Sequence, residues 1–203
     1  MSDAKAKAIT IMPSDEALWD AVKFVAIALR ETPYGTRYGL DMIKVRGNKQ
    51  FAVTDGRCLH MAKCDHELSA GLYDVLANTE QAVVLRRNDN PTKLFVDDKT
   101  IDGAEPESTH AFDIRWAEND IPIGAQIQFV VAANGGPCLN PQYLFAIAAM
   151  RGHSIRVSFS PGVEIIPVVI QGQSKKGAEL QATIMGMNYN WPPVAADPAE
   201  KEA

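Results

Sequence analysis

The sequence predicts an α+β fold in which antiparallel sheets are backed by two helices. Two observations predict it. The first is residues 50–63, QFAVTDGRCLHMAK, where the apolar runs 51–53 and 59–61 flank the polar turn Thr54-Asp55-Gly56-Arg57. Asp-Gly between apolar runs is a strong hairpin signal, because glycine takes a positive φ at no steric cost and aspartate tolerates one. The second is a loose repetition: strands, one helix and more strands occur in each half of the chain.

The elements follow in order. Residues 8–12 read as a short strand ended by Pro13. Ser14 is placed to cap a helix, with Asp15 and Glu16 in the first turn, where the helix dipole favours carboxylates. Leu18, Val22, Val25, Ala26 and Leu29 recur at helical spacing, so this helix extends to about Arg30, with Trp19, Lys23, Ile27 and Arg30 on a neighbouring face. Residues 32–35, TPYG, break it. A strand over 37–46 leads through Gly47-Asn48 into the hairpin. Residues 71–76, 81–85 and 93–96 read as further strands, with a turn at 88–91. The acidic stretch 97–110, DDKTIDGAEPESTH, reads as an exposed loop and 111–116 as one more strand.

Residues 127–133 then read as a strand, and 135–137 as a loop. Asn140 is placed as a cap and Pro141 suits the first helical position. Leu144, Ile147, Ala148 and Met150 give this second helix an apolar face, and Gly152 fits its C-terminal cap. Strands over 154–160, 163–171 and 179–187 complete the chain, and 1–7 and 191–203 read as flexible tails.

Composition narrows the function. At 203 residues and 46% hydrophobic, the chain can bury a real core. A net charge of −5 excludes a wholly basic nucleic-acid binder but allows a local basic patch. No apolar run is long enough to span a bilayer, and MSDAKAKAIT lacks the apolar core of a secretory signal. Three cysteines do not make a disulfide framework, so a reducing cytoplasm is the expected compartment.

Chemistry is not expected. Cys58, His60, Cys64 and His66 share one strand parity, but a continuous strand spreads them over roughly 25 Å, too far for ligands of one metal ion. Strand residues at a sheet edge are the plainer reading. Neither a phosphate-binding Gly-x-x-x-x-Gly-Lys-Ser/Thr loop nor a Gly-x-Ser-x-Gly elbow occurs. Asp55 with His60 lacks a third partner, so no catalytic residue and no cofactor are assigned. A metal-dependent enzyme using Asp55, His60 and His66 is the alternative from a different class. Cys138, beside Pro137, reads as a small buried apolar residue.

Residues 51–59, FAVTDGRCL, resemble the ATDG-x-R-L hairpin of the bacterial DNA polymerase III β-subunits, the sliding clamps. Residues 139–144, LNPQYL, are similar to the start of the final helix of that family's last domain. Residues 155–159 fit the strand after it, and 182–187, ATIMGM, resemble the closing vMPM strand. The resemblance covers 8–190, with 77–125 unmatched. It has two departures: Cys58 stands at the usual place of the hairpin arginine, which here is Arg57, and Gly186 replaces the closing-strand proline. The chain is short for three clamp domains. It reads either as one clamp-like unit with an insertion over 77–125, or as two degenerate domains meeting near 110–125. One helix in each half favours the first.

The resemblance implies a non-enzymatic accessory protein of DNA replication or repair, in a phage or mobile element, that closes as a homo-oligomer around duplex DNA and tethers polymerases. Basic helix residues would face the phosphates without reading sequence, and Lys23, Arg30 and Arg151 are the candidates. Their plainer reading is ordinary solvated helix charge. The family's apolar groove for peptides of polymerases and repair enzymes would involve Thr54, Gly56, Arg57, Leu59, Thr183 and Met185. For Leu59 and Met185 the plainer reading is core filling. A clamp-fold adaptor that binds proteins without encircling DNA is the alternative.

Overall fold

The computed structural model describes residues 7–29, 39–103, 108–115, 121–150, 154–161 and 167–187. Its strands are β1 (Ala8–Ile11), β2 (Met42–Val45), β3 (Gln50–Thr54), β4 (Cys58–Lys63), β5 (Gly71–Asn78) and β6 (Val83–Asn88) in the first half. The second half adds β7 (His110–Arg115), β8 (Ser154–Phe159), β9 (Pro167–Gln173) and β10 (Glu179–Met185). All ten join one antiparallel sheet in the order β1-β6-β5-β2-β3-β4-β10-β9-β8-β7. The central seam pairs β4 with β10, from Lys63 opposite Glu179 to Cys58 opposite Ile184. Three strands on each side of that seam, β2-β3-β4 and β8-β9-β10, follow a helical segment, so the two halves repeat one plan across it.

One face of the sheet carries the helices. These are α1 (Glu16–Ala26), α3 (Ile123–Ala133), and α4 (Pro141–Leu144), which tightens into a 3-10 turn over Phe145–Ala149. Alternation along the strands supplies the core beneath them. Phe51 and Val53 of β3, Ile155, Val157 and Phe159 of β8, and Leu180, Ala182 and Ile184 of β10 are buried with Val22, Phe24, Ile127, Val131 and Ile147 of the helical layer. The opposite face carries α2 (Asp98–Asp102), whose buried Ile101 packs on Ala52, Leu59 and Met61.

Several expectations are corrected. Residues 127–133 are helical, because Ile123, Ile127 and Val131 are buried at a spacing of four and outweigh the strand preference of their branched side chains. Residues 93–96 do not form a strand of the sheet, and 98–102 are helical rather than an exposed loop. The Asp97 carboxylate caps that short helix by accepting the Thr100 N–H at 2.7 Å. Ile101, a lone branched residue in an acidic run, is its anchor. At the first helix Asp15, not Ser14, closes the turn, accepting the Met12 N–H at 2.6 Å. The regular helix ends at Ala26, with turn hydrogen bonds continuing to Leu29.

Residues 77–125 supply the end of β5, all of β6, α2 and β7, and the start of α3. Arg30, the break at 32–35, Trp116, Arg151, Gly152 and the tails 1–6 and 188–203 lie outside the described residues. Among the described residues no helix is long and apolar enough to cross a membrane.

Candidate functional site

The hairpin between β3 and β4 forms as its residues dictate. Gly56 takes φ 85°, the left-handed region that glycine tolerates. Thr54 Oγ1 donates to the Cys58 carbonyl at 2.7 Å and accepts the Gly56 N–H at 3.0 Å. The Asp55 carboxylate accepts the N–H groups of Arg57 and Cys58, both at 2.9 Å. Its other oxygen accepts the Tyr143 hydroxyl at 2.7 Å, across a separation of 88 residues. Burial pushes the Asp55 carboxyl up, but the hydrogen bonds from Arg57, Tyr143 and Cys58 together outweigh it and hold the group below its ordinary value.

Tyr143 stands in the first turn of α4, where the Asn140 side chain caps the helix by accepting the Gln142 N–H at 3.0 Å. The closing strand reaches the same place. Met185 N–H donates to the Arg57 carbonyl at 2.9 Å, and Thr183 lies opposite Leu59 in the β4–β10 register. Thr54, Gly56, Arg57, Leu59, Thr183 and Met185 are thus gathered at one end of the central seam. Residues 58, 60 and 62 of β4 turn to the helices, so Leu59 projects to the opposite face, with Thr183 and Met185 of β10. Leu59 is buried there and Met185 half-buried, while Gly56 and Arg57 are exposed. Thr183 is only 4% exposed, and its Oγ1 is buried with no hydrogen-bond partner among the described residues.

Of the three expected phosphate-facing residues, Lys23 lies among the described residues. Lys23 Nζ donates to Asn78 Oδ1 at 2.7 Å and to the Thr79 carbonyl at 3.2 Å, and lies 5.4 Å from the Trp19 ring centroid. It fastens α1 to the β5–β6 turn. Arg30 and Arg151, its two proposed companions, are outside the described residues. Among the described residues of α1, α3, α4 and the following 3-10 turn, Lys23 is the one basic side chain, beside Glu16 and Asp20. The most exposed large apolar side chains of this layer are Phe129 and Phe145, at 74% and 77%.

The residues weighed for chemistry are held apart by separate partners. His60 is fully buried, its ring stacked on Phe24 at 4.9 Å and its Nδ1 3.2 Å from the Phe24 carbonyl. His66 packs on Phe51 at 4.6 Å and accepts the Leu68 N–H at 3.1 Å, and burial lowers its pKa. Burial, then the neighbouring Asp65 carboxylate, pushes the Cys64 thiol up to about 11, away from nucleophile behaviour. Cys138 is half-buried, and its carbonyl accepts the Met187 N–H at 2.8 Å in an isolated antiparallel bridge. Among the described residues no group of three His, Cys, Asp or Glu is arranged to hold a metal ion.

A shallow depression of ≈ 460 Å³ on the outer face, lined in part by Gln50, Lys63, Arg156, Gln171 and Gln181, contains none of the candidate groove residues. Its rim charges pair with each other, Lys63 with Glu179 at 3.9 Å and Arg156 with Asp113 at 4.0 Å. Sequence reading missed the role of Tyr143, although it named the motif that holds it. It also missed Lys44 and Arg46, which clasp the α2 carboxylates of Asp98 and Asp102.

No family model and no curated protein sequence matches the chain. Solved structures do. The DNA polymerase III β chain from Streptococcus pneumoniae TIGR4 superposes with a TM-score of 0.52 at 12% identity, over 93% of this chain and 67% of that one. The sliding clamp of Caulobacter crescentus gives 0.53 at 12%, over 93% and 67%. The DNA polymerase III subunit β of Pseudomonas aeruginosa gives 0.52 at 11%, over 93% and 68%. At such identities the likeness is one of fold, and that fold, an antiparallel sheet with a helical layer on one face, is the one the DNA polymerase III β-subunit sliding clamps have.

Proposed function

We propose that this chain is a non-enzymatic accessory protein of DNA replication or repair. In this reading it works by holding short apolar peptides of polymerase-type partners at the face where Thr54, Gly56, Arg57, Leu59, Thr183 and Met185 meet. One observation carries the proposal: the hairpin, the start of α4 and the end of β10 are joined by the Tyr143–Asp55 and Met185–Arg57 hydrogen bonds. Adaptable apolar groups beside an exposed arginine and a backbone turn suit an extended peptide. The experiment is titration of the chain with a labelled synthetic peptide carrying a polymerase's apolar clamp-binding motif. Arg57→Ala and Met185→Ala are each expected to weaken binding about tenfold, a loss of about 1.4 kcal/mol. Equal affinity in all three proteins overturns the proposal.

Encirclement of duplex DNA by an oligomer is the second reading. It is favoured by the two outermost strands, β1 and β7, each paired on one side only among the described residues and so available to another copy. The charge of the described helical layer, one lysine against two carboxylates, favours the adaptor form instead, since sequence-independent duplex binding depends on phosphate neutralisation. Sedimentation at low salt, with and without circular duplex, separates the two. The adaptor form predicts no co-sedimentation, and an oligomer retained on the closed circle establishes the ring.

A further inference from the structure

Residues 93–102 run across the outer face of the sheet as a strap. Phe95, Val96 and Ile101 cover Ala52, Leu59 and Met61. Two cations of β2 and its end receive the polar groups. Lys44 Nζ donates to the Val96 carbonyl at 3.2 Å and lies 3.0 Å from Asp98 Oδ1. Arg46 donates through Nε to Asp98 at 2.8 Å and through Nη2 to Asp102 at 2.7 Å, while Nη1 engages Gln50. The two sides of this contact differ. The Arg46 side chain is 11% exposed and anchored in the sheet, whereas Asp98 and Asp102 are 57% and 64% exposed on the rim. The receptor side is built in, and the strap is laid on it.

We infer that this surface is a docking site whose resting occupant is the strap, and that an acidic amphipathic partner peptide displaces it. The strap displays the chemistry that fits: an aromatic–aliphatic pair, an acid two residues on, and an aliphatic–acid pair three residues further. The cations Lys44 and Arg46 select acids over bases, and the floor of Ala52, Leu59 and Met61 takes the apolar groups. The acids of these pairs stand on the rim, and Phe95, Val96 and Ile101 are the strap's apolar contacts, so the strap is expected to open more easily than the sheet unfolds. Its tether gives it a high effective concentration, which an incoming peptide must overcome. The inference rests on the proposed function, because Leu59 belongs to both surfaces, and it adds a partner class and a built-in competitor.

The test uses the full chain and a labelled peptide with the sequence of residues 93–103, KLFVDDKTIDG. The double variant Asp98→Asn/Asp102→Asn loosens the strap and leaves the floor intact, so it is expected to bind the peptide about tenfold more tightly than the unmodified chain. Adding Arg46→Ala to that variant is expected to remove the gain. Thermal melting of each variant establishes that it is folded, and Ile101→Ala serves as a second means of release. Faster hydrogen exchange at the Ile101 and Gly103 amides, which now donate to Asp97 and Lys99 carbonyls, reports opening directly. Equal peptide affinity in the unmodified chain and both released variants overturns the inference, as does undiminished binding after Arg46→Ala. Binding of the polymerase-type peptide that is sensitive to Met185→Ala but indifferent to strap release leaves the hairpin reading standing while this one falls.

Discussion

Asp55→Ala is expected to lower the stability of the fold by about 3 kcal/mol, measured by urea unfolding at neutral pH. The carboxylate is the common acceptor for two backbone N–H groups of the turn and for the Tyr143 hydroxyl. Alanine leaves all three donors without that acceptor, and bonds to a charged group are the stronger kind. Tyr143→Phe removes one of them and is expected to cost about 1 kcal/mol. The double variant should lose less than the sum, because both changes break the same bond. The pH dependence has a definite sign. The folded-state carboxyl lies below its ordinary value of 3.8, so the unfolded chain takes up the proton more readily. Its contribution is complete above the unfolded-state value and is lost as pH falls through the folded-state value. Stability of the unmodified chain therefore falls off below about pH 4, and Asp55→Ala removes that part of the acid slope. A loss under about 0.5 kcal/mol, or an unchanged slope, would mean that the turn does not tie the hairpin to α4.

Phe24→Ala is expected to be costlier still, about 4 kcal/mol. Phe24 is fully buried, stacks on His60 at 4.9 Å and accepts from the His60 ring through its own carbonyl. Truncation leaves a cavity between α1 and β4 and strips the packing from a buried, polar ring. The same denaturation experiment checks it. A cost below about 1 kcal/mol would show that α1 is a loose cover over the seam and not part of its support.

What the sequence made legible was local chemistry. The hairpin followed from Asp55-Gly56, and the α4 start from Asn140-Pro141, because a turn and a cap each depend on a few adjacent residues. Residues 127–133 misled because Ile, Phe and Val favour strands, while the deciding fact, burial of every fourth residue beginning at Ile123, belongs to packing. Residues 97–103 misled for the complementary reason: an acidic stretch reads as solvated until the sheet supplies Lys44 and Arg46 to receive it. The pairing of β4 with β10 cannot be read from spacing at all, since their partners lie more than a hundred residues apart. The family likeness of the hairpin and the closing strand implied that these pieces share a groove, and the structure sets them in adjacent strands. It could not foresee that Lys23 would be turned to Asn78 and Thr79.

The most direct test of the central claim is backbone NMR of the labelled chain during titration with the polymerase-type peptide. If distant motifs assemble one holding surface, amide shifts move together at Arg57 and Leu59 in β4 and its turn and at Thr183 and Met185 in β10, and the Met185→Ala chain needs about ten times more peptide to reach the same fraction of them. Shifts confined to another part of the sheet, or a titration midpoint unchanged in Met185→Ala, would contradict the account.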